Sequence, residues 1–149
     1  MALDLFKELR EIGILLIEDD KWIRDSMAMF FEGEGCHVSA CETAEEGLEA
    51  LLNQDYHTII VDYLLPGMDG LEFFRIIAES HESVSKVLIT AYGNQNIFSA
   101  AKALGVDAII EKPFTVEILK QSLTHMLKVK IRKPGAEQCI KRGSEKNDR

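Results

Sequence analysis

Apolar and polar residues follow two different patterns along the chain. Short apolar runs rich in β-branched residues occur at positions 14–17, 58–61, 87–90 and 108–110, and a weaker run occurs at 37–41. Continuous runs of this length are typical of strands that are buried on both faces of a sheet. The segments between the runs carry apolar residues three or four positions apart, which is the spacing of amphipathic helices. The pattern therefore predicts strands and helices in alternation.

Capping and turn residues mark the ends of the predicted helices. Thr43, followed three residues later by Glu46, predicts a capping box at the start of the second helix. Gly33 and Gly35 are typical of the end of the helix before it, and Gly105 is typical of the end of a later one. The boundaries between strands and helices are thus visible in the sequence.

The number of repeats determines the predicted fold. Five strand–helix repeats fit within residues 13–128, and strands that are joined by helices must run parallel, with right-handed crossovers. We therefore predict an α/β fold, a doubly wound five-stranded parallel sheet with helices on both faces and the flavodoxin-like strand order 2-1-3-4-5. Residues 1–12 are interpreted as a short amphipathic N-terminal extension and residues 129–149 as a basic flexible tail or linker.

Composition and charge exclude several classes of protein. The 149 residues are 46% hydrophobic and 28% charged, and no apolar run approaches the roughly 20 residues that a membrane span requires. Three cysteines without a CxxC spacing argue against a disulfide framework or a zinc knuckle. We expect a cytoplasmic protein that has no membrane partner.

Charge is unevenly distributed between the two ends of the chain. Residues 128–149 carry a net charge of +5, and since the whole chain carries −8, residues 1–127 carry −13. An acidic body repels the phosphates of nucleic acids. Nucleic acid is therefore not a favoured partner, and we interpret the basic tail as a solvated segment.

Polar side chains stand at the carboxyl ends of the predicted central strands. The first strand ends at Glu18 and Asp19, the third at Asp62, the fourth at Thr90 and the fifth at Lys112. In an open parallel sheet, ligands bind beyond the carboxyl ends of the strands, where the strand order reverses. We therefore expect these five side chains to lie together in one site.

The residue types at this edge of the sheet favour a bound cation. Two carboxylates about 4 Å apart repel each other by on the order of 4 kcal/mol at an effective dielectric constant of about 20. Oxygen ligands select a hard ion, and Mg2+ fits because it takes one or two carboxylates and leaves places for phosphate oxygens. A carboxylate nucleophile, a cation, the lysine and the hydroxyl are the parts needed to move a phosphoryl group onto an aspartate.

Four motifs in this order resemble the receiver domain of two-component response regulators. They are ILLIEDD at 14–20, VDYLLPGMDG at 61–70, TA at 90–91 and KPF at 112–114. The resemblance covers residues 13–128, and four motifs at matching strand ends make it specific. It implies that Asp62 is the phosphoacceptor, that Thr90 moves toward the phosphoryl group, and that Lys112 pairs with that group.

The resemblance also implies a metal site and a set of partners. Mg2+ would be bound by Glu18, Asp19, Asp62 and the backbone carbonyl of Leu64. The phosphoryl donor would be a sensor histidine kinase or a histidine phosphotransfer protein, and the phosphorylated form would act on a downstream effector protein or domain, or on a second copy in a homodimer. Such a domain assists its own phosphorylation and dephosphorylation without being a turnover enzyme. The peptide bond before Pro113 is expected to be cis.

The chain departs from the family pattern at one position. The family commonly has Tyr or Phe three residues before the lysine, where this chain has Ile109. An isoleucine can repack, but it cannot swing a ring between surface and core. Tyr63, Leu64 and Tyr92 flank the predicted site, and we expect them to hinder an attacking water and to lengthen the phosphorylated lifetime.

Three other functions compete with the phosphoacceptor interpretation. A magnesium phosphatase of the haloacid-dehalogenase type wants a second Asp two residues after its nucleophile, and Leu64 stands there. A flavodoxin shares the predicted fold, but acids at 18–20 would repel the flavin phosphate. A degenerate receiver that acts as a phosphorylation-independent scaffold remains open because of Ile109.

Overall fold

The computed structural model of the chain describes residues 4–132. After a first short helix, strands and helices alternate as the apolar runs predict. The elements in chain order are α1 (Lys7–Ile12), β1 (Ile14–Ile17), α2 (Lys21–Gly33), β2 (Val38–Cys41), α3 (Ala44–Asn53), β3 (Thr58–Asp62), α4 (Gly70–Ile77), β4 (Ser85–Thr90), α5 (Gln95–Ala103), β5 (Ala108–Glu111) and α6 (Val116–Arg132).

The five strands form one parallel sheet in the order β2-β1-β3-β4-β5. The predicted fold class and strand order are therefore confirmed. Every residue of β1, β3 and β4 is buried, whereas the edge strands β2 and β5 are only partly buried. This difference explains why the central strands have continuous apolar runs and why the run in β2 is weaker, since an edge strand keeps polar residues in contact with solvent.

Side chains that alternate along each strand divide the core between the two faces of the sheet. Leu16 and Ile60 point to a cluster that α2 and α6 cover with Phe31 and Leu123. The intervening strand residues point to a second cluster under α3, α4 and α5, which includes these residues: Leu15, Ile59, Ala44, Phe73 and Ile97. The helices therefore lie on both faces of the sheet, as predicted.

Hydrogen bonds at the helix ends fix the loops near the carboxyl edge of the sheet. Thr43 and Glu46 form the predicted capping box of α3. Asp20 caps α2 by accepting from the backbone N–H of Ile23, and Asp69 forms a capping box at the start of α4. Such caps satisfy backbone donors that would otherwise have no partner. The loops that carry the candidate site residues are thus held at their helical ends.

Helical structure continues beyond the predicted repeats at both ends of the described region. Phe6 and Leu9 are buried in the first core cluster, so α1 packs as part of the domain. At the other end, α6 continues to Arg132 and passes the predicted boundary at residue 128. The remainder of the predicted tail, residues 133–149, lies outside the described residues. Within residues 4–132, no helix is both long enough and apolar enough to cross a membrane.

Candidate functional site

The three predicted carboxylates meet at the carboxyl ends of β1 and β3. One carboxylate oxygen from each of Glu18, Asp19 and Asp62 lies within 4.8 Å of the other two. Glu18 is fully buried, Asp62 is 4% exposed and Asp19 is exposed to solvent. The cluster therefore has a buried floor and an open side, which an ion or a donor molecule can approach.

Lys112 lies against this cluster. Its Nζ is 3.1 Å from Oε1 of Glu18 and 3.2 Å from Oδ1 of Asp62. The backbone N–H of Lys112 donates to the carbonyl of Thr90 at 2.9 Å, which ties the end of β5 to the end of β4. The peptide bond between Lys112 and Pro113 is cis. The ammonium group of Lys112 thus forms ion pairs with the carboxylates of both Glu18 and Asp62.

Thr90 is the last residue of β4 and is buried beside the site. It is one position beyond Ile89, which pairs with Asp62 in the sheet. Its Oγ1 accepts a hydrogen bond from the backbone N–H of Tyr92 at 2.9 Å. Leu64 lies two residues after Asp62, in the loop between β3 and α4, and its side chain is 57% exposed. The structure therefore brings every predicted site residue to one edge of the sheet.

A close backbone contact positions the loop that carries Leu64. Gly70 begins α4 directly against the end of β3, and a Cβ at this position would lie 2.7 Å from the carbonyl oxygen of Asp62. The N–H of Gly70 donates to the carbonyl of Tyr63 at 2.8 Å. Only glycine permits this approach, so the loop closes tightly beside Asp62.

Arg24 is a site residue that the sequence reasoning missed. Its Nη1 donates to the backbone carbonyls of Glu18 at 2.9 Å and Asp19 at 3.3 Å. The N–H of Asp20 also donates to Oε2 of Glu18 at 3.1 Å. These bonds fix the acidic loop and leave Oε1 of Glu18 facing Lys112 and Asp62. The position of Arg24, one helical turn after Asp20, is the only sequence signal for this role.

Burial and mutual repulsion perturb the titration of the site. Burial, with the charge of Asp62 as a further cause, raises the pKa of Glu18 to about 7. Burial also raises the pKa of Asp62 above its usual value. Burial alone would lower the pKa of Lys112, but the two carboxylates outweigh it and raise that pKa. The site therefore contains more negative charge than its single lysine compensates.

The residues present fit a divalent cation. Oε1 of Glu18 is buried and accepts no hydrogen bond from any described residue, although Lys112 is at ion-pair distance. A buried oxygen without a hydrogen bond is costly and usually marks a place for an ion or water. The donor set consists of carboxylate oxygens, which suit Mg2+. The acidic group of Glu18, Asp19 and Asp62 therefore offers a place for such an ion.

Comparisons with known proteins agree with the fold. The family model of the response regulator receiver domain matches residues 14–124. The chain is 30% identical over 118 residues to a cyclic di-GMP phosphodiesterase of Thermotoga maritima, a match that covers 79% of this chain and 32% of the relative. It is 25% identical over 117 residues to sporulation initiation phosphotransferase F of Bacillus subtilis, with 78% of this chain and 94% of the relative covered.

A solved structure shows the same architecture. A response regulator receiver domain protein from Methanospirillum hungatei superimposes with a TM-score of 0.75 at 28% identity, covering 80% of this chain and 96% of that one. The chain therefore belongs to the response regulator receiver domain family. It spans between 30% and 54% of the length of four curated relatives that it matches, so receiver domains of this kind also occur within longer proteins.

Proposed function

We propose that Asp62 accepts a phosphoryl group from the phosphohistidine of a sensor histidine kinase or a histidine phosphotransfer protein. The observation that carries this proposal is the meeting of Asp62 with Glu18, Asp19 and Lys112 at one edge of the sheet. A carboxylate oxygen of Asp62 attacks phosphorus in line, the N–P bond of the donor breaks, and the imidazole leaves with the bonding electrons and takes up a proton. No redox change occurs.

The protein contributes position and charge to this transfer. The Nζ of Lys112, held at 3.2 Å from Oδ1 of Asp62, neutralises charge that develops on the phosphoryl oxygens. Because Lys112 is also tied to Glu18 at 3.1 Å, its ammonium is already oriented before the donor arrives. The chain thus assists its own phosphorylation, and we propose that it does so as a signalling domain and not as a turnover enzyme.

We propose a Mg2+ site formed by Glu18, Asp19, Asp62 and the backbone carbonyl of Leu64. Oε1 of Glu18, which is buried and accepts no hydrogen bond from the described residues, and the excess of negative charge support this assignment. The ion would supply positive charge that draws the donor's phosphoryl oxygens to the site. Asp19 is exposed and can reach the ion directly or through water.

The phosphorylated state is proposed to change a partner surface through Thr90. When the Thr90 hydroxyl turns toward a phosphoryl group on Asp62, we expect the loop at 91–94 to move with it. The reason is that the backbone N–H of Tyr92 donates a hydrogen bond to the hydroxyl oxygen of Thr90. The loop leads into α5, so the surface of α5, β5 and α6 is where an effector or a second copy of the chain would dock. The conformational change is a shift between two states that the phosphoryl group biases.

Mass spectrometry of the intact protein tests the proposal. After incubation with acetyl phosphate, we expect a gain of one phosphoryl group that requires Mg2+ and is lost in Asp62→Asn. The matched control Asp55→Asn changes an exposed aspartate remote from the site and should be phosphorylated normally. No gain under conditions that modify an authentic receiver would refute the phosphoacceptor role.

A phosphorylation-independent interaction scaffold is the second candidate function. It is favoured by Ile109, a half-buried residue that packs against the second core cluster at the position where an aromatic switch residue is common. If the protein gains no phosphoryl group but still binds a partner, and binds it equally well as Asp62→Asn, this second function becomes the better account.

A further inference from the structure

The loop between β4 and α5 contains an unusually close contact at Gly93. A Cβ at this position would collide with the carboxylate of Glu111, lying 3.1 Å from its Cδ, and would lie 2.9 Å from Cζ of Phe98. The backbone of Gly93 is outside the left-handed region. Glycine leaves this space to the ends of the Glu111 and Phe98 side chains, and a larger residue at position 93 would have to displace them.

The same loop carries the hydrogen bond of Thr90. The N–H of Tyr92, the residue before Gly93, donates to Oγ1 of Thr90 at 2.9 Å. Thr90 is also the partner of Glu111 in the sheet, where β4 lies beside β5. The loop is therefore held at two points: by Thr90 at Tyr92, and by Glu111 and Phe98 at Gly93. A movement of Thr90 toward Asp62 displaces both.

Packing, and not charge pairing, places Glu111 against the loop. Glu111 is exposed, and within residues 4–132 it takes part in none of the ion pairs or side-chain hydrogen bonds. A flexible side chain held only by packing can leave when the loop moves. Glu111 therefore stabilises the loop only while the loop is in its resting position.

The environment of Ile109 strengthens this interpretation. Ile109, Phe98 and Glu111 line an open hollow of about 620 Å3 beside β5. A Cβ at Gly93 would meet Phe98 and Glu111, which are two of the residues that line this hollow. The two side chains that lie beside the loop, Phe98 and Glu111, are therefore on α5 and at the end of β5.

We propose that Glu111 is a positioning residue for Thr90: packed against Gly93 together with Phe98, it holds the β4–α5 loop in the resting position and is displaced when Thr90 moves to the phosphoryl group. This inference rests on the proposed phosphoacceptor function. Glu111 stabilises only the resting state, so its removal shifts the equilibrium toward the state that binds a phosphoryl group.

Binding of Mg2+ with beryllofluoride, a stable mimic of the phosphoryl group, tests the proposal by isothermal titration calorimetry. Trp22 is the single tryptophan of the chain. It is 84% exposed and lines a hollow that Lys112 also lines, so its fluorescence gives a second readout. We expect Glu111→Ala to raise the affinity roughly twofold to thirtyfold, the range in which side chains modulate coupling between sites. Glu49→Ala, an exposed glutamate on α3, is the matched control and should bind as the wild type does.

Two further variants separate packing from charge and connect the effect to Thr90. Glu111→Gln keeps the shape of the side chain and should retain the wild-type affinity, whereas an increase equal to that of Glu111→Ala would make charge the cause and overturn the proposal. In a Thr90→Ala background, Glu111→Ala should have no effect, because the loop is then no longer coupled to the ligand. A persistent effect there would also overturn it.

The remaining outcomes distinguish this inference from the proposed function. If the wild type binds the mimic and Glu111→Ala binds it equally well or more weakly, the positioning role fails while the phosphoacceptor role stands. If the wild type binds no mimic at all, the phosphoacceptor role fails and the positioning role fails with it. Thermal unfolding of each variant shows that the fold is retained, and Gly93→Ala, which pushes the Glu111 carboxylate aside, should raise the affinity as Glu111→Ala does.

Discussion

Each end of the sheet contains a lysine near carboxylates, buried Lys86 at one end and half-buried Lys112 at the other, and the bonding of the two ammonium groups differs. At the amino end of β4, the Nζ of Lys86 donates to the carbonyls of His81 at 2.8 Å and Val84 at 3.2 Å. At the carboxyl end, Lys112 lies between two carboxylates and leaves Oε1 of Glu18 without a hydrogen bond. One end is satisfied by the protein alone, and the other is not.

Two further charged residues at the amino end, Asp107 and Lys130, are paired with each other. Oδ2 of Asp107 accepts from the N–H of Lys86 at 2.8 Å and from Nζ of Lys130 at 3.3 Å, and Lys130 also donates to Ser85. Burial lowers the pKa of Lys86, which Asp107 opposes, whereas the carboxylates around Lys112 outweigh burial and raise its pKa. In a polar cluster that stabilises the fold, the polar groups form hydrogen bonds with one another. In a site that binds a ligand, some polar groups lack hydrogen bonds within the protein and are free to contact the ligand.

The largest difference between the two ends should appear on removal of their lysines. We expect Lys112→Ala to slow phosphorylation by acetyl phosphate by about a hundredfold or more, since a single preorganised donor at a developing charge is worth about this much. The measurement is the initial rate of phosphoryl gain by mass spectrometry at saturating Mg2+. Lys130→Ala, at the amino end, is the control and should retain the wild-type rate, and equal losses in both variants would remove the distinction.

Lys86→Met should produce the complementary result. The methionine keeps the length of the side chain but leaves the carbonyls of His81 and Val84 without their donor. We expect the free energy of unfolding to fall by about 2 kcal/mol, the typical cost of unsatisfied buried groups, with the phosphorylation rate unchanged. Urea denaturation measures the first quantity. A stable variant that phosphorylates slowly would show that the amino end is part of the functional site.

The accuracy of the sequence predictions follows the same division. The continuous apolar runs of β1, β3 and β4 predicted the sheet, because strands buried on both faces leave a signal in every residue. β4 nevertheless begins at Ser85, before the predicted run, since the charged Lys86 interrupts the pattern and satisfies its ammonium with backbone carbonyls. A charge that is bonded to backbone cannot be distinguished from a surface charge by sequence alone.

The candidate site was predictable where function imposes residue types and not where it depends on backbone contacts. The acids, Asp62, Thr90 and Lys112 stand at strand ends, so topology places them together. The positions of Arg24 and Glu111 in the site were not predicted. Arg24 donates to backbone carbonyls, and Glu111 lies where a side chain on Gly93 would be, and neither contact requires a recognisable partner residue in the sequence.

The pH dependence of stability should differ between the metal-free protein and its Glu18→Gln variant. Because the folded protein raises the pKa of Glu18 from 4.5 to about 7, the folded state binds more protons than the unfolded state between these values. The free energy of unfolding without metal should therefore decrease as pH rises from about 4.5 to about 7, by roughly 3 kcal/mol in total. Urea titrations across this range measure it.

Two comparisons check the assignment of this pH dependence to Glu18. The decrease should be much smaller in Glu18→Gln, which cannot ionise, and Mg2+ should reduce it in the wild type because the ion stabilises the charged form. Glu72→Gln changes an exposed glutamate at the start of α4 and should keep the wild-type slope. If Glu18→Gln retains the full decrease, another group titrates in this range, and the contrast between the two ends loses its electrostatic basis.

The smallest expected effect concerns the solvent-exposed side of the site, where large apolar and aromatic side chains are exposed. Leu64 is 57% exposed and Tyr92 is 62% exposed, and both lie in loops that begin at the site residues Asp62 and Thr90. If Asp62 is phosphorylated as proposed, we expect side chains there to limit the access of an attacking water to it. We expect Leu64→Asn and Tyr92→Ala each to speed dephosphorylation roughly fivefold, which corresponds to about 1 kcal/mol in the barrier. Leu52→Ala, an exposed leucine on α3, is the control, and a wild type that already loses its phosphoryl group as fast as the variants would contradict this role.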